Sequence, residues 1–282
     1  MQVLSILHLV RSHNLLIAAT AALIGAFLLD FSFNYSVLQC LIIITTTMSL
    51  GYIMNDLIDI KTDSINHPHR PLVTKKTSHR VIIVLSSILL LLLLLFSYTL
   101  NHISAKFLYF YIIPLLIFYN IFFKKIPLIG NIIVSFAIGA VFVFVELVLT
   151  GSFNQLITPF FLTFSFSMLR EMIKDAEDYK GDLSSGMLTL PILIGMTKMR
   201  YLIIILIACL MIGLPLPYFL YNYNILYLFL LLIFIEIPLI YLLFLLIKFP
   251  HQNTYKRLAD MLKILCIGGL IVIMSTKIHY NV

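Results

Sequence analysis

Unbroken apolar stretches of about 20 residues recur along this chain, and that length is what a helix needs to cross the hydrocarbon core of a bilayer. Nine such stretches lie near 12–32, 36–56, 80–99, 105–122, 129–150, 155–173, 199–219, 224–247 and 259–279. Inside hydrocarbon every backbone N–H and C=O must find its partner within the segment, so these stretches are expected to be helices. Composition agrees: 61% of residues are hydrophobic, 11% are charged and the mean hydropathy is +1.07, far outside the range of soluble domains. The predicted class is an all-α polytopic membrane protein with about nine transmembrane helices, residues 1–282 forming a single membrane-embedded domain. The first apolar stretch continues to span length with no small-residue cleavage pattern, so it is read as its own signal and not as a removed peptide.

The net charge of +7 has a topological reading. With nine alternating spans and a cytoplasmic N-terminus, all of the 19 Lys and Arg residues except Lys106 and Lys277 fall on one side, and the side rich in Lys and Arg is the cytoplasmic one. The basic balance therefore marks a face of the membrane and implies no nucleic-acid partner. Connections on the opposite side, such as "GSFNQ" and "YFLYNYN", are short and nearly uncharged. Chemistry is expected on the cytoplasmic side, with the cell membrane as the location. Cys40, Cys209 and Cys266 are scattered through predicted spans without a CxxC pair, which suggests neither a disulfide framework nor a zinc site.

Two polar loops interrupt the oil. Asp56, Asp59 and Asp63 in "NDLIDIKTD" and Asp175, Asp178 and Asp182 in "KDAEDYKGD" share the spacing DxxDxxxD. Each copy follows an even-numbered span, four spans apart, so the chain reads as two related four-helix halves plus one helix. On a helix, positions i, i+3 and i+7 fall within an arc of about 60°, so each copy presents three carboxylates as one row if its span continues into the motif. Such a row is unfavourable alone, because like charges repel and acids oppose the dipole at a helix C-terminus. Placing even one carboxylate at the bilayer centre costs about 2.5–3.5 kcal/mol. The rows are therefore expected at a wet interfacial cavity, where hard oxygen ligands suit Mg²⁺ shared with a substrate phosphate. A solvated helix end is the plain alternative for either copy alone. Two copies with one spacing, in a chain with 12 acidic residues, weigh against it.

With these residues in view, "NDLIDIKTDSINHPHRPL" and "KDAEDYKGDLSSGMLTLP" resemble the two aspartate-rich motifs of the UbiA superfamily of intramembrane prenyltransferases. "RSHN" at 11–14 and "YNIFFKKIPLIGN" at 119–131 extend the likeness along nearly the whole chain. The resemblance implies helices around a central cavity, Mg²⁺-dependent binding of a polyprenyl diphosphate, and transfer of its prenyl group to an acceptor. It implies that Asp56, Asp59, Asp63, Asp175, Asp178 and Asp182 hold the metal and its diphosphate. Asn14, Asn55, Arg70, Lys124 and Lys174 would contact the diphosphate, and Tyr119 with Lys124 would act at the reacting end. "REMIKDAEDYKGD" followed by "TLPI" is most similar to the branch that alkylates the free hydroxyl of geranylgeranylglyceryl phosphate, forming an ether lipid. The branches that prenylate aromatic acceptors for quinones share the general motifs and remain the alternative.

One departure concerns the second motif: Leu183 follows Asp182 where related sequences often carry Arg, which leaves Lys180 as a stand-in. Glu146 and Glu236 lie inside predicted spans, where an acid is a functional candidate by default. Glu146 is expected to reach the interface and Glu236, beside Pro238, to serve a broken turn, with no catalytic role for either. His67 and His69 form an HxH, read as a loop and not as a metal site. The run at 85–100 needs only lipid contact. A transporter would place polar groups near the midplane, whereas these acids gather at one rim.

Overall fold

The structure, a computed structural model, describes residues 2–66, 68–249 and 251–277. Fifteen α-helices follow in order: α1 (Gln2–Leu9), α2 (Ser12–Leu28), α3 (Tyr35–Ile58), α4 (Ile60–Asn66), α5 (His79–Ser97), α6 (His102–Lys106), α7 (Ile113–Ile121), α8 (Ile129–Thr150), α9 (Ile157–Ser185), α10 (Leu190–Ile194), α11 (Met196–Gly213), α12 (Leu216–Tyr221), α13 (Ile225–Leu231), α14 (Ile237–Lys248) and α15 (Gln252–Met274). No strand occurs among the described residues. The expected all-helical membrane architecture is present.

Six helical rods among the described residues are long and apolar enough to cross a bilayer: Tyr35–Ile58, His79–Ser97, His102–Ile121, Ile129–Thr150, Met196–Tyr221 and Ile225–Lys248. Ser12–Leu28 is a shorter apolar helix. The stretch expected at 155–173 falls mostly in α9 and most of that expected at 259–279 falls in α15, although its positions 278–279 lie outside the described residues; both helices also carry charged segments beyond their apolar parts. α9 continues beyond residue 173 to Ser185 and stops at Gly186, whose φ of 72° closes a left-handed cap that glycine adopts without steric cost.

The duplication anticipated from the aspartates extends to the backbone. α6 and α7 are joined by a π-helical turn at Phe107–Ile112, and α13 and α14 by another at Leu232–Glu236. Each turn is followed by Ile-Pro-Leu, at 113–115 and 237–239. Proline lacks an N–H and clashes with the preceding helical turn, and a wider turn relieves both defects. These rods are the fourth and eighth from the N-terminus, one in each half.

Packing in hydrocarbon depends on close contact and not on water exclusion, so small residues mark the tightest crossings. A Cβ at Gly139 on α8 would lie 3.1 Å from the Phe160 ring of α9, and one at Gly268 on α15 would lie 3.1 Å from Phe234 Cβ. One buried cluster joins α2, α3, α5, α8, the start of α9 and the end of α15; a second joins α9, α11, α13, α14 and α15. α9 and α15 contribute to both. α5, which carries most of the run at 85–100, buries only Ile82, Leu93 and Ser97; its other side chains suit lipid.

Glu146, expected toward the end of its span, is fully buried within the protein; its carboxylate accepts the backbone N–H groups of Asn154, Gln155 and Leu156, each at 2.8 Å. Those donors lie where the chain turns into α9, so the acid substitutes for missing helix-end partners. Glu236 lies in the second π turn, where its Oε1 has no hydrogen-bond partner.

Candidate active site

A cavity of about 450 Å³ opens between α2, α3, α8, α9 and α15. Its deep wall is apolar, with Ala18, Ile43, Leu108, Val141, Phe144 and Ile235. Its rim carries the sequence-predicted residues Asn14, Asn55, Asp59, Asp63, Arg70, Tyr119, Lys124, Lys174, Asp175, Asp178 and Asp182. Thus residues separated by more than 160 positions converge on one opening.

The two rows are built differently. α9 is continuous through Asp175, Asp178 and Asp182, so the second row lies on one helical face as expected. The first row is broken: α3 ends at Ile58, Asp59 occupies its C-cap with φ −93° and ψ 9°, and α4 starts at Ile60. The Asp59 N–H still donates to Asn55 O at 2.9 Å and the Asp63 N–H to Asp59 O at 2.8 Å, so the kink keeps the acids near one another.

Cations answer the first row. Arg70 bridges it, donating to Asp56 Oδ1 at 3.2 Å and to Asp63 Oδ2 at 2.5 Å. Arg11 donates to the same Asp56 oxygen at 2.8 Å, and Lys124 pairs with Asp59. Asp56 is 3% exposed and lies behind this layer, where an unpaired charge would cost several kcal/mol, roughly 3–5. Burial pushes the Asp63 carboxyl above its ordinary value, and the Arg70 charge opposes that rise.

Arg11 was not among the residues the motifs selected. It sits between α1 and α2 in the left-handed region, φ 52° and ψ 56°, which non-glycine residues occupy rarely. Its guanidinium also lies 4.6 Å over the Tyr52 ring, and Tyr52 accepts a 3.3 Å hydrogen bond from Asn14.

The second row draws on α8. Asn131 donates to Asp175 Oδ2 at 2.8 Å. Arg170 donates to Glu171 Oε1 at 2.8 Å, and Lys174 lies 3.9 Å from the other oxygen of Glu171. Asn131, Arg170 and Glu171 were also missed, although Asn131 ends the quoted 119–131 segment and the other two open "REMIKD". Gln252 of α15 caps the arrangement from outside, donating to the carbonyls of Ala176 and Glu177 at 3.0 and 2.6 Å.

Lys180 is exposed and does not line the cavity, whereas Arg170 and Lys174, one turn apart on α9, do. Lys125 is exposed, whereas Lys124 reaches Asp59. His67 lies outside the described residues, and no cluster of three or more His, Cys, Asp or Glu side chains converges closely enough to hold a metal among those described.

Comparison with known proteins agrees with this geometry. The chain is 33% identical over 273 residues to digeranylgeranylglyceryl phosphate synthase of Methanocaldococcus jannaschii, covering 92% of this chain and 91% of that protein. A solved structure of a digeranylgeranylglyceryl phosphate synthase in membranes superposes with a TM-score of 0.75 at 30% identity, covering 98% of each chain. A UbiA homologue from Archaeoglobus fulgidus, bound to GPP and Mg²⁺, shares the fold with a TM-score of 0.58 at 16% identity, over 95% of this chain and 99% of that one. Residues 15–266 match the UbiA prenyltransferase family. With paired aspartate rows at the mouth of an apolar cavity and this match across most of its length, the chain belongs to the UbiA prenyltransferase family.

Proposed function

We propose that this protein transfers a geranylgeranyl group from its diphosphate to the free hydroxyl of geranylgeranylglyceryl phosphate, forming an ether lipid, and that residues 1–282 act as one membrane-embedded unit. The observation that carries this reading is a charged, acid-rich rim directly above an apolar cavity, the shape a lipid diphosphate requires. The likeness to digeranylgeranylglyceryl phosphate synthases supports the choice of acceptor.

The donor set at the rim consists of carboxylate and amide oxygens, which suits Mg²⁺, a cation that takes few protein carboxylates and shares its sphere with substrate phosphate. Asp56, Asp59, Asp63, Asp175, Asp178 and Asp182 would hold Mg²⁺ and its diphosphate, directly or through water, with Asp56 reached by displacing Arg11 or Arg70. When bound, the metal neutralises diphosphate charge as the leaving group departs.

The remaining work falls to the chain itself. Arg70 and Lys124, freed from Asp63 and Asp59, turn to the diphosphate oxygens, with Asn14 and Asn55 orienting them. Tyr119 lines the same wall and faces the allylic carbon. The apolar depth holds the prenyl tail and keeps water from the cationic carbon. The C1–O bond to diphosphate breaks, the acceptor oxygen bonds to C1, and the released diphosphate takes the hydroxyl proton. The rim faces the cytoplasm and the membrane is the cell membrane, in keeping with the distribution of Lys and Arg.

The test is incubation in lipid nanodiscs with Mg²⁺, geranylgeranyl diphosphate and either geranylgeranylglyceryl phosphate or an aromatic acid, with mass spectrometry of the products and Asp56→Ala as control. An EDTA-sensitive ether lipid absent from the control is expected. An aromatic product alone would move the protein to a quinone pathway.

A further inference from the structure

The two halves can be aligned residue by residue through their aspartates, and the alignment exposes an asymmetry. Asp56, Asp59 and Asp63 correspond to Asp175, Asp178 and Asp182; moving back along the helices, Asn55 corresponds to Lys174, Tyr52 to Glu171 and Gly51 to Arg170. Both halves thus carry acids, but on this face only the second half carries cations just inside them.

All of these positions except Asp56 line the same cavity. Along α9 the cavity face passes from Thr163 and Ser167 to Arg170 and Lys174, and then to the aspartates. Arg170 stands five residues before Asp175, about 7.5 Å deeper along the helix axis. Glu171 is one carboxylate shared by two cations, its Oε1 taking Arg170 and its Oε2 lying near Lys174, so the group retains a positive charge. Across the cavity Gly51 leaves space: a Cβ there would meet only Leu116 Cδ1, at an ordinary 3.8 Å.

The diphosphate is served by both aspartate rows together with Arg70 and Lys124. A second anion cannot share that acid-lined rim, yet the acceptor named under the proposed function carries a phosphate on the same glycerol as its attacking hydroxyl. The hydroxyl must meet C1 of the donor, which lies on the membrane side of its diphosphate. The acceptor phosphate is therefore held a few ångströms away at similar depth, the level of Arg170.

We infer that Arg170 seats the phosphate of the lipid acceptor, with Lys174 between the two anions and the space opposite, at Gly51, admitting the glycerol. The inference rests on the proposed function and makes Arg170 a residue that discriminates a phosphorylated acceptor from an alcohol.

The experiment measures KM for geranylgeranyl diphosphate, geranylgeranylglyceryl phosphate and the corresponding geranylgeranylglycerol in nanodiscs, for wild type, Arg170→Gln and Arg170→Lys. Wild type is expected to favour the phosphorylated acceptor. Arg170→Gln raises its KM about tenfold, the effect of losing a charge-assisted contact, while the KM values for the alcohol and the diphosphate stay unchanged. Equal rises for both acceptors, or a rise confined to the diphosphate, would overturn the phosphate seat and leave the proposed function standing. A wild type inactive on the phosphorylated acceptor would overturn both. If Arg170→Gln does not accumulate, Arg170→Lys, which keeps Glu171 paired, decides alone: a raised KM for the phosphorylated acceptor supports the seat and an unchanged one removes it.

Discussion

Asn131 donates its side-chain amide to Asp175 across 2.8 Å, so the second aspartate row is oriented by the helix that precedes it. Partners of this kind around a metal-binding acid commonly change metal affinity by about 10–100-fold when removed. Asn131→Leu is expected to raise the Mg²⁺ concentration for half-maximal activity by about tenfold. A Mg²⁺ titration of product formation checks this, and an unaltered midpoint would reduce the contact to packing.

Arg70 competes with any cation for Asp56 and Asp63, since it bridges oxygens of both. In Arg70→Gln the buried acids lose that bridge while Arg11 still holds Asp56. The variant is expected to melt earlier than wild type in EDTA and to gain more from added Mg²⁺. Thermal unfolding in nanodiscs with and without Mg²⁺ reads the difference; equal metal-induced shifts in the two proteins would contradict it.

Glu146 ties down three backbone donors at the entrance to α9 and stands apart from the aspartate rim. Glu146→Ala leaves those donors without their carboxylate and is expected to cost about 2–3 kcal/mol of stability, with KM values of the surviving protein unchanged. Denaturation and kinetics together test this, and a selective loss of kcat in fully folded protein would assign the acid to the reaction instead.

Gly139 and Gly268 sit where α8 meets Phe160 and α15 meets Phe234. Leucine at either position is expected to force the helices apart at a cost of about 1–3 kcal/mol. Gly213→Leu is the comparison, because nothing lies within 4 Å of a Cβ there. Equal stability for all three variants would mean that the close crossings do not limit packing.

The helical class and the aspartate rows were legible because apolar length and a repeated spacing are local signals. The sequence also placed Arg70, Lys124 and Tyr119 on the cavity, through resemblance of short segments. It did not expose the kink at Asp59, where α3 ends and α4 begins. Nor did it pair Arg11 with Asp56, 45 positions away, because an isolated basic residue at a membrane end looks the same whether or not it meets an acid. The partners of Glu146 were hidden for a related reason: only the fold brings the backbone donors of 154–156 to it. The wide turns before Pro114 and Pro238 were hidden too, although the shared Ile-Pro-Leu was available as a sign.

The counter-charges of the first row also bear on the order in which the protein is made. Arg11, Arg70 and Lys124 all precede residue 125 and account for Asp56, Asp59 and Asp63, so these acids have their partners before α8 leaves the ribosome. Asp175 instead waits for α8 and α9 to dock, because its amide partner is Asn131. The insertion machinery thus receives a first aspartate row whose counter-charges are already in the chain, and the half that adds Arg170 is assembled against it.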